Sequence, residues 1–105
     1  MSDILDRLEA SIAARRGASP DSSYVASLFA KGREKIAQKV GEEATETVIA
    51  SLSGDPAKLT AEAADLLFHL MVLLAEAGLS IDDVLAELDR REGISGIAEK
   101  ASRQK

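Results

Sequence analysis

REKIAQKVGEEATETVIASL, residues 33–52, carries apolar side chains at Ile36, Val40, Ala44, Val48 and Leu52, one every four residues. That spacing stacks them on successive turns of an α-helix and does not suit a strand, whose faces alternate every second residue. The stretch therefore predicts a long helix from about Arg33 to Leu52. Within it, Glu43 and Glu46 stand three residues apart, which sets their carboxylates about 60° apart around the axis, on one face. Glu62 and Asp65 repeat the arrangement further on. Like charges at this spacing weaken a helix. Two helices that both carry this cost point to a cation between them, and hard divalent cations take oxygen ligands and leave positions open for water and phosphate.

Outward from this segment every element reads as helical. Ile4, Leu5, Leu8 and Ile12 predict a first helix ending near Gly17. Ser19-Pro20 is a candidate start for a second, with Tyr24, Val25, Leu28 and Phe29 as its buried side, and Gly32 breaks it. Asp55 before Pro56 makes an N-cap followed by proline at the first helical position, and opens a fourth helix that ends near Gly78. From Leu66 to Ala75 that helix is apolar on all sides, which a small domain cannot cover alone, so a homodimer interface is expected there. Ser80 with Asp83 resembles a capping box before a fifth helix whose apolar positions are Ile81, Val84, Leu85 and Leu88. The tail from Glu92 has few apolar residues and is expected to be mobile until something binds. The predicted fold is all-α, a single domain over residues 1–105 with about five helices, completed by homodimerisation.

Composition narrows the function. The chain has 105 residues, 46% hydrophobic and 30% charged, an ordinary globular balance. It has no cysteine, so a disulfide framework and a thiolate zinc site are excluded. The net charge of −5 argues against nonspecific nucleic-acid binding. The apolar run from Leu66 to Ala75 falls far short of the roughly 20 residues that span a bilayer. With no signal-peptide pattern at the N-terminus, a cytoplasmic protein without a membrane partner is expected. Two basic clusters stand out: Lys31, Arg33, Lys35 and Lys39 before the first acidic pair, and Arg90, Arg91, Lys100, Arg103 and Lys105 near the end. Such clusters let an acidic protein bind a small polyanion.

If the third and fourth helices pack side by side, Glu42, Glu43, Glu46, Glu62 and Asp65 form one nest for Mg²⁺, or for Mn²⁺ in its place. The alternative is a solvated acidic face. Against it, both pairs border residues that must be buried, and a carboxylate at the edge of a core needs a partner. A carboxylate not engaged as a ligand is the general base, with Glu43 and Glu46 as candidates. His69 shares a face with Glu62 and Asp65, but is expected to be a core-edge histidine hydrogen-bonded to a neighbour, since Mg²⁺ prefers oxygen. Lys31, Arg33, Lys35 and Lys39 are either a solvated helix start or a phosphate-binding group. Tyr24, Phe29 and Phe68, the only aromatic residues, fit core positions; the alternative for Tyr24, stacking on a base, has no support in the sequence.

Ser23-Tyr24, Gly32, Lys35-Ile36, Lys39-x-Gly41-Glu42-Glu43-Ala44-x-Glu46, Glu62-x-x-Asp65-Leu66, His69-Leu70, Gly93-Ile94-Ser95-Gly96 and Glu99-Lys100-Ala101-Ser102-Arg103 occur in that order. Together they resemble the phosphoribosyl-ATP pyrophosphatase family of histidine biosynthesis, among the all-α nucleoside-triphosphate pyrophosphatases. The resemblance implies a helical homodimer that uses Mg²⁺ to hydrolyse the α,β-phosphate bond of 1-(5-phosphoribosyl)-ATP. It implies metal-binding roles for Glu42, Glu43, Glu46, Glu62 and Asp65, and phosphate-binding roles for Lys35, Lys39, Arg90, Arg91, Lys100 and Arg103. A housekeeping nucleoside-triphosphate pyrophosphatase is the nearest competitor, and the C-terminal motif speaks against it. A non-catalytic helical dimerisation module is the competitor of another class, separable by metal binding.

Overall fold

A computed structural model describes residues 3–94 and 96–103. These residues form six helices and no strand: α1 (Asp3–Arg15), α2 (Tyr24–Lys31), α3 (Arg33–Ser51), α4 (Pro56–Glu76), α5 (Ile81–Arg91) and α6 (Gly96–Arg103). Helices α3 and α4 pair side by side along their lengths and are the spine of the molecule. The core lies at one end of that spine, where Ile36 of α3 and Met71 and Val72 of α4 meet Ile12, Val25, Leu28 and Ile81 from α1, α2 and α5. At the other end, among the described residues, α3 and α4 pack mainly on each other.

Local chemistry sets the boundaries. Gly32 ends α2 with φ 92°, a left-handed conformation open to glycine, and α3 starts at the next residue. The Asp55 side chain accepts from the backbone N–H groups of Ala57 (3.0 Å) and Lys58 (3.4 Å) to begin α4. Asp83 reaches back to the backbone N–H of Ser80 at 2.8 Å, and the Ser80 side chain faces the Asp83 backbone in return, which makes the expected capping box. Glu9 of α1 adds a cap across the fold, since its Oε2 accepts from the backbone N–H of Ile81 at 2.6 Å. Gly78, at φ 79°, lets Leu79 N–H close on the Leu74 carbonyl at 2.8 Å after α4.

Four expectations need correction. Helix α2 begins at Tyr24, because the Ser19 oxygens are taken up in a local turn with Asp21 and Ser22 while Ser23 caps the Ala26 N–H at 3.2 Å. The tail contains a sixth helix, whose chain is helix-permissive after the Gly96 start. Tyr24 is 51% exposed and is no core residue, since it stands at the first position of α2. The four-residue stripe of α3 also fails: Ile36 is fully buried, but Val48 is 60% and Leu52 83% exposed. A strict repeat of four drifts about 40° per step around a helix with 3.6 residues per turn, so Leu52 ends on roughly the opposite side from Ile36. The face turned to α4 instead follows Ile36, Val40, Glu43, Thr47 and Ala50, all buried or half-buried, alternating steps of four and three as in a coiled-coil seam. Glu43 therefore occupies a seam position.

In α4, His69, Met71 and Val72 are buried, while Leu67 is exposed, so this one chain covers the apolar segment on one side only. No single described helix is long and apolar enough to cross a membrane.

Candidate metal centre

The seam explains how carboxylates from two helices meet. Glu43 enters it from α3, and Glu62 faces it from α4, both half-buried. Thr47, one turn beyond Glu43, shares its hydroxyl between the carbonyl oxygens of Glu43 (2.8 Å) and Glu62 (3.2 Å). This bond ties the carboxylate-bearing turns of the two helices together. One carboxylate oxygen from each of Glu43, Glu62 and Asp65 lies within 4.8 Å of the others. Burial, and then the facing charges of Glu46, Asp65 and Glu43, push the Glu62 carboxyl above its ordinary value. Among the described residues no Lys, Arg or His forms an ion pair with Glu62 or Asp65. An all-oxygen, negatively charged donor set of this kind suits a hard divalent cation, and these residues fit one.

Of the five acidic residues expected in the nest, Glu43, Glu62 and Asp65 come together and Glu46 acts on Glu62 through its charge. Glu42 turns the other way. Its carboxylate accepts from Gln38 Nε2 at 2.7 Å and stands 3.4 Å from Lys39 Nζ, and these contacts hold it below its ordinary value. Lys39 lies between the two groups, 3.4 Å from Glu42 and 4.0 Å from Glu43. Hydrogen bonding to Glu42, followed by the nearby Tyr24 and the acidic pair, raises the Lys39 ammonium above its ordinary value. This lysine stands at the rim of the cluster.

The other basic residues are spread over the fold. Lys35 is close enough to lower Glu42 by its charge. Lys31 is exposed in the last turn of α2. Arg33 donates to the Glu76 carbonyl at 3.3 Å, against the far end of α4. Arg90 and Arg91 bind Glu87 at 2.7 and 2.9 Å and hold its carboxyl down to about 2. Lys100 and Arg103 are exposed on α6. A cavity of about 530 Å³, bordered by Asp6, Asp82, Leu85 and Asp89, lies between α1 and α5 and excludes the Glu43, Glu62 and Asp65 cluster.

His69 is buried and fully engaged, as expected from the sequence. Its Nδ1 is 2.8 Å from the Asp65 carbonyl oxygen, which only accepts, so Nδ1 carries the proton. In the neutral ring Nε2 is then an acceptor, and the Tyr24 hydroxyl donates to it at 2.8 Å. Two participants were not singled out from the sequence as polar actors. Tyr24 had no local signal to distinguish it from a core aromatic. Thr47 did have one, since it lies four residues after Glu43 on the seam.

Comparison with known proteins is consistent along the chain. A family model described as phosphoribosyl-ATP pyrophosphohydrolase matches residues 5–92, from α1 through α5. A protein of Rhizorhabdus wittichii named phosphoribosyl-ATP pyrophosphatase is 70% identical over 105 residues, covering 100% of this chain and 99% of its own. One of the same name from Erythrobacter litoralis is 69% identical over 99 residues, 94% of this chain and 95% of its own. Another, from Zymomonas mobilis, is 60% identical over 103 residues, 98% and 96% of the two chains.

Proposed function

We propose that this chain, which belongs to the phosphoribosyl-ATP pyrophosphohydrolase family, hydrolyses the α,β-phosphate bond of 1-(5-phosphoribosyl)-ATP to phosphoribosyl-AMP and pyrophosphate, the second step of histidine biosynthesis. The observation that carries the reading is the convergence of Glu43, Glu62 and Asp65 on one point without a cationic side chain paired to Glu62 or Asp65. Carboxylates left in mutual repulsion are costly, and such cost concentrates where a ligand relieves it.

Glu43, Glu62 and Asp65 would hold Mg²⁺, with Mn²⁺ as a substitute, and Glu46 completes the acidic surround; Glu42, engaged by Gln38 and Lys39, joins them only by leaving those contacts. When bound, the cation supplies neutralisation of phosphate charge and Lewis-acid activation of water. Glu46, beside the three-carboxylate cluster, takes the proton of the attacking water as general base, with Glu43 the other candidate. A water oxygen bonds to phosphorus, the bridging P–O bond breaks, and pyrophosphate leaves. Lys39 at the rim, with Lys35 near it, receives phosphate oxygens as they enter. Lys31, Arg33, Arg90, Arg91, Lys100 and Arg103 are the further phosphate-binding candidates, and those on α5 and α6 reach the site only if the tail or a second subunit brings them there.

The working enzyme is a cytoplasmic homodimer with no nucleic-acid or membrane partner. In support of the dimer, the radius of gyration is 15.8 Å, against about 13 Å for a compact chain of this length. Val48, Ile49, Leu52 and Leu67 also leave apolar surface open on the end of the spine where α3 and α4 stand alone. A second copy laid on this end would complete a helical bundle.

The test is incubation of the purified protein with phosphoribosyl-ATP and Mg²⁺, following pyrophosphate over time beside ATP and dATP. Release from phosphoribosyl-ATP that stops on chelation supports the reading. Equal or faster release from ATP or dATP would make it a housekeeping nucleoside-triphosphate pyrophosphatase, and no release from any would refute an enzymatic role.

A further inference from the structure

We infer that the open face of Tyr24 is the platform on which the substrate's purine ring stacks. The inference rests on the nucleotide substrate proposed above and adds the place of its base. A half-exposed aromatic side chain ordinarily moves among rotamers, but this one is fixed on several sides. Its ring stacks on Phe68 with centroids 6.2 Å apart and planes 21° from parallel. His69 meets both rings nearly at right angles, at 81° to Tyr24 and 88° to Phe68. The hydroxyl is anchored at 2.8 Å on His69, which is itself anchored at 2.8 Å on the Asp65 carbonyl. With one face against Phe68 and the hydroxyl engaged, the surface that leaves Tyr24 51% exposed is the side away from Phe68.

Such a ring is prepared to bind a flat partner. Its rotamer is already fixed, so stacking on it costs little further ordering. Every purine has a π-face, and stacking on tyrosine is a general way to hold a base. The location also fits a nucleotide. Phe68 and His69 follow Asp65 by three and four residues on α4, a rise of about one helical turn, roughly 5 Å. That is the order of separation between the base of a nucleotide and its α-phosphate. Two hydrogen bonds through His69 link the Tyr24 hydroxyl to the backbone of Asp65, and Lys39 stands at the rim of the same cluster with its ammonium 4.0 Å from Glu43. A nucleotide with phosphates at Lys39 and the carboxylates therefore has its base within reach of Tyr24.

The sequence provides a clean probe. Tyr24 is the only tyrosine, and tryptophan is absent, so the Tyr24 ring protons are assigned in a proton NMR spectrum by inspection. Titration with ATP in the presence of Mg²⁺ should move them upfield as a base stacks on the ring, whereas tripolyphosphate, which has no base, should leave them in place. Two variants give a second readout. Tyr24→Leu removes the flat face and should raise KM for phosphoribosyl-ATP on the order of ten- to a hundredfold, with kcat changed much less. Tyr24→Phe keeps the face and loses only the anchor on His69, so its KM should stay within severalfold of wild type. Melting curves of both variants confirm that the fold persists. Equal shifts with ATP and tripolyphosphate, no shift with ATP, or the same KM for Tyr24→Leu as for wild type would each overturn the inference. A protein inactive on phosphoribosyl-ATP would refute the proposed reaction instead, and the NMR titration would still decide the platform.

Discussion

The two ends of α4 treat negative charge in opposite ways. At the C-terminal end, Glu76 and the last carbonyls are met by cations from two other elements. Arg16 donates to the Ala75 carbonyl and to Glu76 Oε1, both at 3.1 Å, and lies 4.5 Å over the Phe29 ring, while Arg33 takes the Glu76 carbonyl. Every charge there has a partner, in the orientation that complements the helix dipole. In the N-terminal half, Glu62 and Asp65 face Glu43 and Glu46 with no ion pair of their own among the described residues; Lys39 stands 4.0 Å from Glu43, and Lys58 acts on Glu62 only through its charge. One helix thus carries a charge site the fold completes by itself and another that it leaves without an ion pair on Glu62 or Asp65 among the described residues. An incomplete site is where a small domain shows its function, because local rules are broken there without a compensating contact.

Applying one substitution at both ends sharpens the contrast most. Glu62→Gln should lower kcat by on the order of 10² to 10⁴, as loss of a metal ligand or base does. In chelator it should also raise the melting temperature by about 1 to 3 °C, since one like charge leaves the cluster. Glu76→Gln should do the reverse, with turnover per folded molecule unchanged and the melting temperature slightly lower. A loss of stability in Glu62→Gln under chelation would mean that the cluster is already balanced.

Arg16→Ala should lower stability by about 1 kcal/mol, or 4 to 8 °C in melting temperature, because a carbonyl contact, an exposed ion pair and a cation–π contact go together. Activity measured well below the transition should not change. Thr47→Val keeps the shape of the side chain and removes the hydroxyl shared by the Glu43 and Glu62 carbonyls. We expect Mg²⁺ affinity to weaken by roughly tenfold, as for other groups that orient ligands, and Thr47→Ser to restore it. Titration of each variant with Mg²⁺ in the activity assay checks this.

Much of the fold was legible locally. The Asp55-Pro56 start, the Gly32 break, the Ser80 and Asp83 contact and the limits of α3 each depend on residues within a few positions of one another. The acidic pairs were legible for the same reason, as was the role of His69, which bonds a carbonyl four residues earlier. What escaped depends on distance or on phase. Arg16 and Glu76 are 60 residues apart, and no pattern near either announces the other. The true seam of α3 escaped because its line holds a glutamate and a threonine, so a search for apolar side chains followed Val48 and Leu52 onto the open side. Tyr24 escaped because its partners, Phe68 and His69, come from a helix far along the chain.

The smallest effects are those of pH. The Glu62 carboxyl lies above its ordinary value in the fold, so the metal-free fold binds this proton more tightly than the unfolded chain. Its stability should therefore fall as pH rises from the ordinary carboxylate value through the higher folded one, and Glu62→Gln should flatten that slope. Glu87 has the opposite sign. Held down to about 2 by Arg90 and Arg91, it contributes stability above its ordinary value that is lost as pH falls toward about 2. The pair is partly exposed, so this second slope should be shallow. Melting curves across pH, with and without chelator, separate the two.

Calorimetric titration of Mn²⁺ into the metal-free protein, without substrate, examines the incomplete end of α4 most directly, since Mn²⁺ binds oxygen sites more tightly than most hard cations. Wild type and Glu76→Gln should bind it alike, and Glu62→Gln should bind at least tenfold more weakly. Equal binding by wild type and Glu62→Gln, or none by wild type, would contradict a metal centre built from Glu43, Glu62 and Asp65.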